Sequence, residues 1–183
     1  CYVINTHAHP DHTGGNKAFS KLNPPPEFIA HKNFTPAYVN RFNTYNKRLL
    51  ELIGEKDVLE PHTVTKEVED FLQLDLGNRK LTLTAWETAH TNHDLTVFDH
   101  SSQTLITGDL LFVKHIPVID GSLNGWIKVT QQLINFFEKL PNERYAKMII
   151  PGHGPLQNDV TWLKNQLNYL VNLKRSVQEA LRD

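Results

Sequence analysis

With 183 residues, 39% of them hydrophobic and 21% charged, the chain is long enough for one sizeable core and short for two, so we expect a single domain spanning residues 1–183. The net charge of −1 gives no basic footprint for a nucleic-acid partner, and no stretch approaches the ~20 apolar residues of a membrane span. A single cysteine, Cys1, excludes an internal disulfide framework and a cysteine-rich zinc cluster.

Short strands and helices alternate in the first part of the chain. An apolar run at residues 2–5 predicts a buried strand, and a helix is expected from about Gly15. A proline break at 24–26 precedes a second predicted strand at 28–30. Apolar and aromatic side chains at helical spacing over 36–52 predict a helix that packs on the core, although its aromatic side chains could instead line a pocket.

The second part predicts a meander followed by helices and one more strand. Strands are expected at 68–76, 81–86, 95–99 and 104–107, and the polar turns among them favour antiparallel pairing. A capped helix at about 125–140, a strand at 145–150 and an amphipathic helix with apolar positions from Val160 to Leu181 follow. No internal repeat or linker interrupts them, which indicates one α/β domain.

The segment Thr-His-Ala-His-Pro-Asp-His-Thr-Gly-Gly-Asn at residues 6–16 places three histidines and an aspartate within six residues. Imidazole and carboxylate are donors that Zn²⁺ takes, and imidazole also suits iron. His7 and His9 are two residues apart, so an extended backbone projects both from one face. Asp11 and His12 follow at an expected turn and can point to a second position. The pattern favours a metal site over a histidine-rich loop.

Three further places hold donor residues at the ends of predicted strands, where loops commonly carry function. Ala-His-Thr occurs at 89–91, Gly-Asp at 108–109 and Pro-Gly-His-Gly-Pro at 151–155. Each is a weak signal alone. With the first cluster they supply enough donors for two metals that share one carboxylate: His7, His9, Asp11, His12, His90, Asp109 and His153.

The order of these motifs resembles that of the metallo-β-lactamase superfamily, over residues 3–155. The resemblance implies an α/β (α+β) fold, a four-layer αβ/βα sandwich with the site at one edge of its two sheets. It also implies two sets of metal ligands: His7, His9 and His90 for one metal, Asp11, His12 and His153 for the other, with Asp109 bridging them.

Strands that precede the histidine-rich motif in this superfamily are missing here. The sequence begins at Cys1, directly in an apolar run, so we expect an N-terminally truncated fragment whose first sheet has an exposed edge, liable to pairing.

Three features indicate the branch of the superfamily that the chain resembles. Asp109 at the bridging position is similar to the glyoxalase II, lactonase-like and RNA-processing branches. The zinc β-lactamases place Cys or Ser there, which disfavours lactam hydrolysis. The segment between Asp109 and His153 is too short for the inserted domain of the nucleic-acid-processing branches.

The segment at 108–126 resembles zinc metallohydrolases associated with bacterial quinoprotein relay and sulfur-oxidation systems. Those are typically exported, which predicts a periplasmic location, with the cytoplasm as the alternative.

The resemblance implies an enzyme that binds two Zn²⁺ and hydrolyses an ester, thioester, lactone or related acyl bond of a small molecule through a metal-bound hydroxide. Asp109 would bridge the metals, and Asp11 could also orient the nucleophile or pass its proton. Iron or manganese would suit the same donors. A mononuclear iron sulfur-redox enzyme similar to persulfide dioxygenases and a non-catalytic metal-binding protein are the alternatives. Seven donors favour two metals.

Several polar residues lie outside this donor set. His93 could support a ligand or contact a substrate, and His115 and Asp120 could reach the pocket mouth. For each, an ordinary polar loop residue is the favoured interpretation. His100 has no place in the set, and no function is expected of His31 and His62.

Overall fold

The computed structural model describes residues 1–54, 64–141 and 147–182. The strands in these ranges are β1 Tyr2–Ile4, β2 Glu27–His31, β3 Lys66–Val68, β4 Phe71–Asp75, β5 Lys80–Ala85, β6 Leu95–Asp99, β7 Thr104–Phe112 and β8 Met148–His153. The helices there are α1 Pro10–Thr13, α2 Asn16–Ser20, α3 Phe34–Ile53, α4 Leu123–Lys139 and α5 Thr161–Ala180. No helix in the described ranges is long and apolar enough to cross a membrane.

Two sheets form the centre of the fold. The first has the order β1-β2-β3, and all of its strands are parallel. The second has the order β4-β5-β6-β7-β8, antiparallel as far as β7 and then parallel between β7 and β8. The predicted antiparallel meander is therefore confirmed, and β1 and β3 are the edge strands of the smaller sheet.

Three buried clusters separate four layers. Apolar side chains of β2 and β3, such as Ile29 and Val68, meet those of β4 to β6 between the sheets. Helix α3 covers the outer face of the first sheet with Phe34 and Tyr38. Helices α4 and α5 cover the outer face of the second sheet, with Trp126 among the fully buried side chains. This is the predicted four-layer sandwich, and helix 36–52 packs on the core as expected.

Local sequence explains where the longer helices begin and end. The Ser122 hydroxyl accepts a hydrogen bond from the Gly125 N–H at 3.1 Å and so caps α4, the capped helix predicted at about 125–140. Helix α3 ends at Gly54, whose φ of 76° is the left-handed conformation that glycine adopts without strain. Asp159 accepts a hydrogen bond from the Thr161 N–H at 2.7 Å, just ahead of α5.

The strand predicted at 68–76 is two strands. Residues up to Val68 pair in the first sheet, and residues from Phe71 pair in the second. Apolar residues at even positions continue across the corner, because both strands face the same core between the sheets. Only the polar Asp70 interrupts that alternation, so the periodicity alone did not reveal the change of sheet.

Two strands extend further than predicted. β7 continues past Thr107 to Phe112, and β8 runs from Met148 to His153, whereas residues 145–146 of the predicted strand lie outside the described ranges. The pairing of β7 with β8 is irregular on both sides of Gly108. These extensions carry Asp109 and His153 to the same end of the second sheet.

Candidate metal centre

The histidine-rich loop leaves β1 and turns at once into α1. Pro10 occupies the first turn of that helix, where its missing N–H costs no hydrogen bond. The buried amides of Asn5 and Asn16 close the loop with two reciprocal hydrogen bonds of 3.1 and 2.9 Å. The Thr13 hydroxyl donates to the His9 carbonyl at 3.0 Å. The backbone around His7 and His9 is thus fixed by contacts that do not involve their rings.

Four donors converge at the buried end of the site. The Nε2 atoms of His7 and His90 lie 3.1 and 3.2 Å from His9 Nδ1. Asp109 Oδ2 lies 3.6 Å from His7 Nε2 and 3.5 Å from His90 Nε2. One atom from each of the four can therefore face a common point, and we call His7, His9, His90 and Asp109 the inner group.

Three donors form a second cluster beside the first, which we call the outer group: Asp11, His12 and His153. The Nε2 atoms of His12 and His153 each lie 3.3 Å from Asp11 Oδ2. Asp109 faces this group as well, because its Oδ1 lies 3.0 Å from His12 Nε2 and its Oδ2 lies 3.3 Å from His153 Nε2. All seven candidate residues are brought together, with Asp109 between the two groups.

Hydrogen bonds to one nitrogen of His9 and of His90 determine which nitrogen of each ring is available to a metal. The Val118 carbonyl, 2.7 Å from His90 Nδ1, can only accept, so that nitrogen carries the proton. The Asp120 carboxylate, 3.0 Å from His9 Nε2, likewise accepts from that nitrogen. The other nitrogens, His9 Nδ1 and His90 Nε2, face each other at 3.2 Å, with their lone pairs available to a ligand. Such an arrangement suits a cation.

Two buried atoms of the site lack a hydrogen-bond partner among the described residues. They are His12 Nε2 and Asp109 Oδ1, which lie at ion-pair distance but without hydrogen-bond geometry. Unsatisfied polar atoms are rare in protein interiors. Together with the nitrogen and oxygen donors that zinc prefers, these atoms mean that the residues present fit a bound metal ion.

Burial and charge give the two groups different protonation states. Burial lowers the pKa of His90 to about 4 and also lowers that of His7, so both rings are neutral at pH 7. Burial opposes the protonation of His12 too, but the facing carboxylates of Asp109 and Asp11 outweigh it and raise the pKa to about 9. The pKa of Asp11 falls to about 2, chiefly through its contact with His12.

Two glycines allow Asp109 to reach its position. A Cβ at Gly152 would lie 2.0 Å from Asp109 Oδ1, so any side chain there would displace the carboxylate. Gly108 has a φ of 52°, and a Cβ there would lie 2.7 Å from the Cβ of Thr6. The irregular pairing of β7 with β8 and these two glycines together turn Asp109 toward both groups of histidines.

A comparison with known families agrees with this geometry. The family model described as "Metallo-beta-lactamase superfamily" matches residues 1–177. The chain belongs to the metallo-β-lactamase superfamily. This membership confirms the superfamily, the fold class and the enzyme class, a metallo-hydrolase, that the motifs predicted.

Solved structures share the fold at low sequence identity. A metallo-beta-lactamase from Pontibacter korlensis superposes with a TM-score of 0.65 and 20% identity over 92% of this chain and 68% of its own. A metallo beta lactamase from Hirschia baltica gives a TM-score of 0.64 and 21% identity over 92% of this chain and 67% of its own. No curated protein sequence matches the chain significantly.

The remaining histidines take different places. His93 is buried with its ring 6.5 Å from the His7 ring; its Nδ1 donates to Asn92 Oδ1 at 2.7 Å, and its Nε2 has no hydrogen-bond partner among the described residues. His115 contacts its own loop at the Val113 carbonyl, 2.9 Å away. His100 bonds Thr82 on the second sheet, and His62 lies outside the described ranges.

Sequence reasoning identified Asp120 only as a residue near the pocket mouth and missed Arg41. Asp120 contacts His9, and Arg41 binds both carboxylate oxygens of Asp120. The sole signal for Arg41 was a cation on α3 without an acidic residue three or four positions away. That signal is too common to select it.

Proposed function

We propose that this protein is a metal-dependent hydrolase that holds two divalent ions, zinc by preference, and cleaves an ester, thioester, lactone or related acyl bond of a small molecule. The observation that carries the proposal is the convergence of seven donors into two groups that share Asp109. A binding site for one iron would need fewer donors, which favours the hydrolase over a sulfur-redox enzyme.

The inner group would hold one ion through His7, His9 and His90, and the outer group the other through Asp11, His12 and His153, with Asp109 contacting both. Bound divalent ions supply Lewis acidity, which polarises a carbonyl and lowers the pKa of water. Asp11 is half exposed and has a pKa of about 2, so it stays ionised and can orient an attacking water by accepting its proton in a hydrogen bond. A carboxylate of such low pKa stores a proton poorly, which makes orientation its main contribution.

The substrate and the cellular location are further parts of the proposal. Asp109, rather than Cys or Ser, stands between the groups, which favours oxygen and sulfur esters over lactams. The segment at 108–126 supports a periplasmic relative of the quinoprotein relay and sulfur-oxidation hydrolases. Fractionation of a bacterium that produces the protein from its complete gene tests the location, and recovery in the cytoplasm would contradict it.

Elemental analysis and a substrate panel test the activity. The purified protein should contain two zinc ions per chain, and it should hydrolyse at least one of a phenyl ester, an acyl thioester and a lactone more rapidly than a penicillin. A chelator should abolish turnover and zinc should restore it. One iron per chain would support the redox alternative. Metal binding without turnover of any substrate would support the non-catalytic alternative.

A further inference from the structure

The loop between β7 and α4 contacts two of the inner histidines on the sides that face away from the other donors. The Val118 carbonyl accepts from His90 Nδ1 at 2.7 Å, and the Asp120 carboxylate accepts from His9 Nε2 at 3.0 Å. The loop is itself held in place, because the Asp120 N–H donates to the His90 carbonyl at 3.0 Å and the Ser122 N–H donates to the Ala89 carbonyl at 2.8 Å. Its position is therefore tied to that of His90.

Arg41 fixes the Asp120 carboxylate from the other side. Its Nη2 donates to Oδ1 at 2.9 Å and its Nη1 donates to Oδ2, so the guanidinium spans both oxygens. A planar fork of this kind restrains a carboxylate more strongly than a single contact does. Nη1 also donates to the Tyr45 hydroxyl at 3.1 Å, one helical turn further along α3. The pair thus connects α3, on the outside of the first sheet, to His9.

We propose that Asp120, held by Arg41, is a positioning residue that keeps the proton of His9 on Nε2 and directs Nδ1 toward the inner metal position. The inference rests on the proposed metal site. His90 has a rigid backbone carbonyl for the same purpose, whereas His9 depends on a side chain that is itself one-quarter exposed and could turn away without Arg41. Replacing a residue that hydrogen-bonds to a metal-binding histidine typically lowers the affinity for the metal about 10–100-fold.

Asp120→Ala should therefore weaken binding of one metal ion about 10–100-fold and leave the other within about twofold. Arg41→Ala should weaken the same ion by a smaller factor, and the double variant should match Asp120→Ala, because Arg41 acts through Asp120. Glu69→Ala is the matched control, since it removes an exposed carboxylate paired with Lys32 and should change neither affinity. Titration with Co²⁺, followed by its visible absorption, measures both steps.

Nuclear magnetic resonance of the zinc-loaded protein with ¹⁵N-labelled histidine gives a readout independent of turnover. The His9 Nε2–H resonance should be present in the wild type and in Asp120→Asn, whose amide oxygen still accepts, and it should be lost by exchange in Asp120→Ala. Equal affinities in wild type and Asp120→Ala, or equal weakening of both ions with a lower unfolding temperature of the metal-free protein, would overturn the inference. A wild type that binds no metal would overturn the proposed function, and with it this inference.

Discussion

The inner and outer groups contain the same kinds of donor, but the protein surrounds them differently. His7, His90 and Asp109 are 1%, 0% and 4% exposed, whereas Asp11 and His153 are 53% and 35% exposed. Two of the inner histidines, His9 and His90, also form hydrogen bonds with the β7–α4 loop. The inner group is therefore preorganised by the fold, and the outer group is closer to solvent.

The inner and outer groups also differ in the protonation of their histidines. Burial leaves His7 and His90 neutral, ready to donate lone pairs. The carboxylates around His12 instead raise its pKa to about 9, so a proton sits in the outer group before any metal does. We expect the inner position to bind an ion first and without proton release, and the outer position to bind second and in exchange for a proton.

The largest effect is expected where the groups share a residue. Asp109→Ala removes the carboxylate that faces both, so both ions should bind far more weakly and turnover should fall to the level of the chelator-treated protein. Elemental analysis after dialysis, together with the hydrolysis assay, measures this. The exposed Asp159, whose carboxylate accepts from the Thr161 N–H at the start of α5, provides the control variant Asp159→Ala. Two ions retained in Asp109→Ala would show that the groups do not share it.

A smaller and selective effect is expected from removing one histidine on each side. His90→Ala should weaken the tighter ion about 100-fold or more, since losing a ligand should exceed the loss of an outer partner. His153→Ala should leave the tighter ion in place and abolish only the second binding step. Calorimetric titration with zinc resolves the two steps. If His153→Ala weakened the tighter step and His90→Ala left it unchanged, the assignment of the tighter ion to the inner group would be contradicted.

The protonation states predict opposite responses to pH. Between the pKa values of His90 and His12, about 4 and about 9, the inner ring is neutral and the outer ring is protonated. Affinity at the outer position should therefore rise about tenfold per pH unit between pH 6 and 8, while affinity at the inner position stays nearly constant. Titration in buffers of different ionisation enthalpy should show about one proton released in the second step only. Equal release in both steps would contradict the assignment.

The inner and outer donors could be identified from the sequence because each comes shortly after the end of a predicted strand and has a chemically distinctive side chain. The backbone features that assemble them could not. The extension of β7 beyond Thr107 depends on its pairing with β8, more than 40 residues away, and local periodicity does not encode that contact. Arg41 and Asp120 are separated by 79 positions, so their pairing is equally invisible locally. The change of sheet after Val68 was not visible in the sequence, because the apolar side chains of β3 and β4 point into the same core between the two sheets.

Gln166 offers the smallest effect and a test of what belongs to neither group. Its Oε1 accepts from the Phe112 N–H at 2.9 Å and its Nε2 donates to the Leu110 carbonyl at 2.7 Å, so α5 satisfies strand atoms that β8 leaves unpaired. Trp126 Nε1 also donates to that carbonyl, at 3.0 Å. Gln166→Ala therefore orphans the Phe112 N–H and should lower the free energy of unfolding by about 1–3 kcal/mol.

Both metal affinities of Gln166→Ala should stay within about twofold of wild type, because the carboxylate of Asp109 is positioned by Gly108 and Gly152 rather than by α5. Urea unfolding of the metal-free protein measures the stability loss, and Asn165→Ala, an exposed neighbour on the same helix, should change it by less than about 0.5 kcal/mol. If Gln166→Ala weakened both ions equally, α5 would be part of the site. Helix α5 would then position both groups by holding β7, the strand that carries Asp109.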